Sequence, residues 1–300
     1  MASRSLSYCK LCEIGDFRDP DLRALMRDMA GVVSERPDWP DGEEHRKPWE
    51  VAMSARALRD FGAIREDAEI LGVGAGTEAT IFWLTRYVNR VFATDLYLTE
   101  DSWSAMDSGA GMLHSPEDET TLDWNPRRLV VQHMNALELR YEDDSFDGIF
   151  SSGSIEHFGD LDSIHQSVVE MHRVVRPGGV VALATEFRLV GPPPGLPGTV
   201  LFDESELRQV LLEGLNWELA SPLDFSISDE TMEGPIDFDS LFEVLDGGPS
   251  IADRIKGRLG RDLPPPAIRH LPTPYPHIVL RKDGHLWTSV HVALIKPERA

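Results

Sequence analysis

The segment ILGVGAGTEAT, residues 70–80, predicts a buried strand, a glycine-rich turn and the start of a helix. Glycine lets the backbone come close to a ligand, and the first N–H groups of the following helix supply hydrogen-bond donors. Gly74, Gly76 and Ala79 fit the dinucleotide pattern GxGxxG/A, whereas Gly72, Gly74 and Gly76 fit a tighter GxGxG. The turn therefore predicts a nucleotide site without deciding which nucleotide binds.

Strands and helices alternate from residue 68 onward, which indicates a parallel sheet with helices on both faces. The pattern predicts helices beginning near residues 76, 162 and 203, and strands at 68–74, 90–95, 129–134, 146–152 and 179–186. The segments NWELASPLDF and LWTSVHVALIKP predict two final strands. The predicted fold is a doubly wound α/β sheet of seven strands.

Two regions lie outside this alternation. Upstream, DPDLRALMRDMAGVV predicts a helix with Pro20 at its first position, and PWEVAMSARALRDFG predicts a second helix that opens on Pro48. We expect a helical cap over residues 1–62 and the core over residues 63–300. A proline- and glycine-rich insertion at about 230–283 precedes the last strand and has the length of a lid.

Composition limits the partners. The 300 residues include 51 acidic and 29 basic side chains, a formal charge of −22, which repels polyphosphate and anionic membranes. We therefore expect a small-molecule substrate, no nucleic acid and no membrane, and the sequence leaves a homo-oligomer open. The sequence has neither a run of 18 apolar residues nor a secretory signal, so we expect a cytoplasmic location. Cys9 and Cys12 form only half of a zinc-binding pattern, so we expect free thiols.

A carboxylate follows the second predicted strand in RVFATDLYL, about 20 residues after the glycine turn. Asp95, with Leu96 beside it, lies where a carboxylate accepts hydrogen bonds from both hydroxyls of a ribose. A strand-end aspartate also caps turns, but the preceding glycine turn favours ribose binding. The first half of the core therefore predicts a ribose-containing cofactor.

The second half of the core separates the candidate cofactors. A polar residue follows strand three, strand four opens on Phe146 and Asp147, and a helix then leads to the turn Pro177-Gly178-Gly179 before strand five. These features resemble the class I S-adenosylmethionine-dependent methyltransferases, in particular their type 11 small-molecule branch. The resemblance covers residues 68 to about 190 and, more loosely, the last two strands. It implies a Rossmann-like seven-stranded sheet with S-adenosylmethionine as cofactor.

The resemblance also implies a set of cofactor contacts. Three glycines would lie against the methionine part of the cofactor, and Asp95 and Leu96 would contact the ribose. The Asn-Ala pair would lie beside the adenine, and two serines would lie where cofactor and acceptor meet. The predicted cofactor-binding residues, apart from Glu78, are Gly72, Gly74, Gly76, Asp95, Leu96, Asn135, Ala136, Ser151 and Ser152.

Two positions depart from the family pattern. Gly72 stands where the family usually has an acid that positions the methionine amino group, and Glu78 stands where a closing glycine is usual. Glu78 at a helix start suits the helix dipole, so we hypothesise that it replaces the missing acid and also binds the cofactor.

His157 in GSIEHFGD is the candidate catalytic residue. It follows the fourth strand at the sheet edge where ligands bind, and an imidazole is the natural base for a hydroxyl acceptor near neutral pH. The alternative is that it only packs or orients the loop, because alignment alone can supply about 7–11 kcal/mol. Some relatives bind a divalent metal here through Glu-x-x-Glu-His, but Gly153 replaces the first Glu and no metal is predicted.

Three side chains are candidate substrate contacts. Trp49 on the second helix would close the site by stacking or else anchor the helix, Glu156 precedes the candidate base, and Arg188 follows strand five. We expect O-methylation of a hydroxyl on a sugar or glycosylated metabolite, with N-methylation second. An NAD-dependent oxidoreductase and a non-catalytic cofactor-binding module are the alternatives.

Overall fold

The computed structural model describes residues 6–31, 36–98, 110–244, 268–270 and 272–299. Within these residues, the α-helices are α1 Pro20–Met29, α2 Arg46–Asp60, α3 Ala79–Leu84, α4 Gly111–His114, α5 Leu161–Val174, α6 Glu204–Leu212 and α7 Asp229–Met232. The described strands are β1 Lys10–Leu11, β2 Glu69–Val73, β3 Arg90–Asp95, β4 Leu129–His133, β5 Phe146–Ser152, β6 Val175–Val190, β7 Gly195–Leu196, β8 Thr199–Val200, β9 Glu218–Leu219, β10 Ile236–Asp237, β11 Phe242–Val244, β12 Ile268–His270, β13 Leu280–Lys282 and β14 His285–Ile295.

Most of the strands form one sheet in the order β10-β13-β14-β6-β5-β2-β3-β4, and β1 and β9 also pair with β14. Strands β2 to β6 are parallel, and β14 is antiparallel to β6. The chain runs outward from β2 to β4 and then places β5 and β6 on the other side of β2. The strand order therefore reverses between β2 and β5, the point at which open α/β sheets bind ligands.

Helices cover both faces of this sheet. Successive strand residues point to opposite faces, so Ile70 packs into the core beneath α1, α2 and α3, whereas Leu71 packs into the core beneath α5 and α6. Helix α2 lies across β5, β6 and β14. The predicted doubly wound α/β fold is thus confirmed, and β1, β10 and β13 enlarge the predicted sheet of seven strands to ten.

Two helix starts show how local sequence sets the elements. At α6 the Asp203 side chain accepts from the Glu206 N–H while the Glu206 side chain accepts from the Asp203 N–H, each at 2.9 Å. The second helix begins at Arg46 rather than at Pro48, because Nδ1 of His45 accepts from the Lys47 N–H at 3.0 Å and caps the helix earlier.

The N-terminal region is part of the sheet as well as of a helical layer. Strand β1 pairs antiparallel with β14, with Lys10 opposite His291 and Leu11 opposite Val290. A purely helical cap over residues 1–62 is therefore too simple. Cys9 and Cys12 beside this strand are buried free thiols.

The insertion before the last strand is described only in part. Strands β10 and β13 pair with each other and extend the sheet beyond β14. The predicted lid at 230–283 includes residues 245–267 and 271, which lie outside the described residues, so the lid stays a prediction. Among the helices that the structure describes, none has the length and apolar character needed to cross a membrane.

Candidate active site

A cavity of about 1340 Å³ lies at the carboxyl ends of the parallel strands. Its wall includes the glycine turn after β2, residues 95–97 after β3, residues 134–137 after β4 and residues 153–158 after β5. The first residues of α2 and the hairpin of β7 and β8 close other sides. The cavity thus occupies the reversal of strand order, where the sequence predicts the site.

The glycine turn has a backbone that only glycine adopts easily. Gly74 and Gly76 have φ values of +61° and +49°. A Cβ on Gly74 would lie 2.7 Å from the Ser154 Cβ and 2.8 Å from the Phe158 ring, and the Ser154 hydroxyl donates to the Gly74 carbonyl at 2.6 Å. The turn is therefore held rigidly against the segment that follows β5.

Asp95 connects the glycine turn to strand β3. Its Oδ2 accepts from the Gly76 N–H at 2.8 Å and its Oδ1 accepts from the Leu96 N–H at 2.6 Å. Asn135 and Ala136 line the same cavity from the turn after β4. The structure thus brings together seven of the ten predicted cofactor residues, namely Gly74, Gly76, Glu78, Asp95, Leu96, Asn135 and Ala136.

Gly72, Ser151 and Ser152 do not line this cavity. Gly72 is buried within β2, where an added Cβ would lie 2.6 Å from Cζ of Phe150. Ser151 is fully buried, and the Ser152 hydroxyl lies 3.3 Å from that of Ser54 on α2. Successive strand residues point to opposite faces, so Ser152 faces α2 and Ser151 faces the other side of the sheet.

Trp49 and Arg188 are structural residues rather than cavity residues. Trp49 is fully buried, and its Nε1 donates to Asp16 at 2.9 Å, so it anchors α2. Arg188 is only 8% exposed and is ion-paired to Asp203 and Glu206 at 2.7 and 3.0 Å, which ties β6 to the start of α6. Neither side chain is available to an acceptor in the cavity.

His157 lies in the cavity wall, in the 3-10 turn Ile155–His157 that follows β5. Its Nδ1 lies 2.8 Å from the carbonyl oxygen of Gly198 in the hairpin of β7 and β8. A carbonyl can only accept, so Nδ1 carries the hydrogen and the neutral ring has its lone pair on Nε2. The hairpin thus sets the tautomer that a general base needs.

A buried ion cluster forms one end of the cavity; we define it as Arg46, Lys47, Glu50, Glu156 and Glu186. Nη1 of Arg46 lies 2.6 Å from Oε1 of Glu186 and 3.1 Å from Oε1 of Glu50. The Lys47 ammonium lies 3.0 Å from Glu50 and 3.2 Å from Glu186. Oε2 of Glu156 accepts from the Thr185 hydroxyl at 2.7 Å.

The cluster separates the pKa values of its carboxylates. Burial alone would raise the pKa of Glu186, but the charges of Arg46 and Lys47 outweigh burial and lower that pKa to about 2. Burial raises the pKa of Glu156, and the neighbouring His157 only partly opposes that rise. Sequence reasoning missed Arg46, Lys47 and Glu186, although a glutamate inside the apolar run of strand five was a usable signal.

Glu78 lies at the junction of the glycine turn and α3, and its side chain faces the cavity. Its Oε1 is buried and has no hydrogen-bond partner in the part of the chain that the structure describes. Burial raises the pKa of this carboxyl to about 8. A buried oxygen without a partner is costly, so this carboxyl has hydrogen-bonding capacity that the described residues leave unused.

The cavity suits an adenosine-containing cofactor with an amino-acid part. Gly76 leaves open space above its Cα, since the nearest atom to an added Cβ is Oδ2 of Asp95 at 3.9 Å. Asp95 and Asn135 offer polar groups for the ribose and the base, and Glu78 offers a carboxylate. Within the described residues, no group of three His, Cys, Asp or Glu side chains is arranged to hold a metal ion.

Comparison with known proteins identifies the domain. The fold is a doubly wound α/β domain with a cavity at the carboxyl ends of its parallel strands, and residues 71–183 match the family described as Methyltransferase domain. This match and the named methyltransferase relatives support a class I S-adenosylmethionine-dependent methyltransferase domain over residues 71–183, with S-adenosylmethionine as its cofactor.

Individual relatives are distant. The chain is 27% identical over 173 residues to methyltransferase GfsG of Streptomyces halstedii, covering 57% of each chain. It is 36% identical over 83 residues to 27-O-demethylrifamycin SV methyltransferase of Amycolatopsis mediterranei, covering 28% of each chain. The chain therefore spans about half or less of the length of these curated relatives. The YcgJ protein from Bacillus subtilis is a similar solved structure, with a TM-score of 0.44 and 16% identity over 82% of this chain and 100% of that one.

Proposed function

We propose that this chain methylates a hydroxyl oxygen of a small molecule, with S-adenosylmethionine as donor and a sugar or glycosylated metabolite as first candidate acceptor. The observation that carries the proposal is His157, which lines the cavity and has its tautomer set by the Gly198 carbonyl. That tautomer leaves Nε2 as the proton-accepting nitrogen, which a hydroxyl acceptor needs.

The cavity size supports a two-ligand site. Its volume of about 1340 Å³ exceeds the roughly 300–1,000 Å³ usual for one small ligand. Asp95 and Asn135 would hold the nucleoside part at one end. Trp287 and Phe238, with Lys282 beside them, line another part of the wall. An aromatic face beside a charged group suits the apolar face and hydroxyls of a sugar ring.

The chemistry divides between cofactor and protein. S-adenosylmethionine supplies a methyl group that its sulfonium already activates. The protein binds and aligns the acceptor, excludes water, and accepts the hydroxyl proton on Nε2 of His157. One curated relative is named for the 27-O position of a rifamycin, which supports a hydroxyl on a bulky metabolite as the acceptor.

A nitrogen acceptor is the second candidate. Glu156 and Glu186 line the same cavity as His157, and carboxylates attract the positive charge of an amine. Product analysis distinguishes the two candidates, because an O-methyl and an N-methyl group differ in their chemical shifts.

The test measures S-adenosylhomocysteine formation with a library of glycosylated and hydroxylated metabolites. We expect His157→Ala to lower kcat by roughly 10²–10⁴-fold while the Kd for S-adenosylhomocysteine stays unchanged. His172→Gln is the matched control, since His172 lies on α5 and bonds to Asn216 outside the cavity. A thermal shift with NAD but none with S-adenosylmethionine, or no product with any acceptor, would contradict the proposal.

A further inference from the structure

The cofactor of this family carries an ammonium group on its methionine part, and the cavity must supply a partner for that charge. Among the residues that the structure describes, five carboxylates line the cavity, namely Glu78, Asp95, Glu156, Glu186 and Asp283. A buried ammonium without a partner would cost several kcal/mol. The hydrogen bonds and ion pairs that each carboxylate already makes therefore decide which one can bind the ammonium group.

Four of these carboxylates have other roles or positions. Both oxygens of Asp95 accept backbone N–H groups, and Glu186 is ion-paired within the buried ion cluster. Glu156 accepts from a threonine hydroxyl. Asp283 lies in the turn between β13 and β14, and the strands β5, β6 and β14 separate it from the glycine turn after β2. Glu78 alone among the five combines a place in the glycine turn with an oxygen that has no described partner.

Strand β2 cannot supply the charge instead. Gly72 has no side chain, and the space above it is filled, because an added Cβ would lie 2.6 Å from Phe150 and 2.8 Å from the Ala75 Cβ. Any acid at this position would displace the Phe150 ring. The carboxylate at the glycine turn therefore comes from Glu78.

We propose that Glu78 binds the ammonium group of S-adenosylmethionine. This inference rests on the proposed cofactor and names the residue that recognises its amino-acid part. The side chain lines the cavity, its buried Oε1 has no partner in the described residues, and the ammonium would provide one.

Binding should release a proton. The charged and titratable groups that face Glu78 are Lys47 and Glu50 on α2 and Tyr97 after β3. Burial, together with the charge of Glu50, outweighs the opposing effects of Thr80, Ser152 and Lys47 and raises the pKa of Glu78 to about 8. At pH 6.5 the carboxyl is therefore mostly protonated in the free protein. An ammonium ion beside it favours the carboxylate, so roughly one proton leaves for each cofactor bound.

Calorimetry of the full chain with S-adenosylhomocysteine tests this inference. Titrations in buffers of different ionisation enthalpy count the protons released at pH 6.5. The variant Glu78→Gln keeps the shape of the side chain and removes its charge, and Glu66→Gln removes one exposed charge as the matched control. 5′-Methylthioadenosine, which lacks the amino-acid part, is the second probe.

We expect the wild type and Glu66→Gln to release about one proton at pH 6.5 and Glu78→Gln to release none. At pH 8, where the wild-type carboxylate is more ionised, Glu78→Gln should bind S-adenosylhomocysteine roughly tenfold or more weakly, and the difference should narrow toward pH 6.5. 5′-Methylthioadenosine should bind both proteins equally and release no proton.

The other possible results distinguish a failure of this inference from a failure of the proposed function. Equal affinity and equal proton release in wild type and Glu78→Gln would overturn the inference and leave the proposed function standing. Failure of the wild type to bind S-adenosylhomocysteine would overturn both. A folding defect is separable through the melting temperature of ligand-free Glu78→Gln at pH 6.5. It should not fall, because the wild-type carboxyl is mostly uncharged there and Gln keeps its shape and polar atoms near Thr80 and Ser152.

Discussion

The replacement Glu186→Gln should measure how much the buried ion cluster stabilises the fold. The pKa of Glu186 falls from 4.5 to about 2, because Arg46 and Lys47 outweigh burial. A shift of about 2.5 units corresponds to about 3 kcal/mol of stability, and breaking a buried ion pair costs about 3–5 kcal/mol. The lower value applies here for two reasons. Arg46 still has its ion pair with Glu50 in the variant, and Lys47 is 43% exposed, so solvent screens its attraction to Glu186.

The sign of the pH dependence follows from the lowered pKa. The folded state favours ionised Glu186, so the stabilisation is complete above pH 4.5 and is lost as the pH falls toward 2. Urea unfolding at pH 7 should show a free energy of unfolding about 3 kcal/mol lower for Glu186→Gln, and a smaller difference at pH 3. The exposed Glu66→Gln is the control. A loss below about 1 kcal/mol at pH 7 would refute the reasoning, since it would mean that desolvation of the pair cancels its attraction.

Two further predictions concern candidate site residues that do not line the cavity. Gly72→Ala should lower the free energy of unfolding by about 1–3 kcal/mol in a urea titration, because its Cβ would lie 2.6 Å from Phe150. The double variant Gly72→Ala, Phe150→Leu should recover part of this loss. An unchanged free energy of unfolding in the single variant would contradict the close packing. Arg188→Met should destabilise the fold by about 1.5–3 kcal/mol, because it removes the ion pairs with Asp203 and Glu206. The KM for the acceptor should stay unchanged. A raised KM with normal stability would instead indicate that Arg188 contacts the acceptor.

Sequence alone predicts the parts of this protein that depend on local patterns. The strands at 90–95 and 146–152 have the predicted bounds, because each is an apolar run between turn residues. The helix predicted to begin near residue 203 begins at Glu204, because Asp203 and Glu206, which cap it, lie within one turn of chain. The glycine turn and Asp95 meet at the sheet edge because parallel strands place their carboxyl ends together.

The remaining features depend on contacts between distant segments. Arg46 meets Glu186 and Ser289, which lie 140 and 243 residues further along the chain, and no periodicity of one segment predicts such a meeting. Strand β1 has two residues, too few to show an alternating pattern. The positions of Trp49 and Arg188 outside the cavity wall have the same cause, since their partners Asp16, Asp203 and Glu206 lie on other segments. The cytoplasmic location, the homo-oligomer, the acceptor and the lid stay predictions.

The pairing of β1 with β14 affects how a newly made chain matures. The ribosome makes Lys10 and Leu11 about 280 residues before their partners Val290 and His291, and at about 5–20 residues per second this gap lasts tens of seconds. Ser289, which bonds to Arg46 and Glu50, is equally late. The hydrogen bonds between Ser289 and the buried ion cluster at one end of the cavity therefore form only after the parallel strands have been made. A nascent chain should therefore complete this end of the cavity only after its last strand leaves the ribosome.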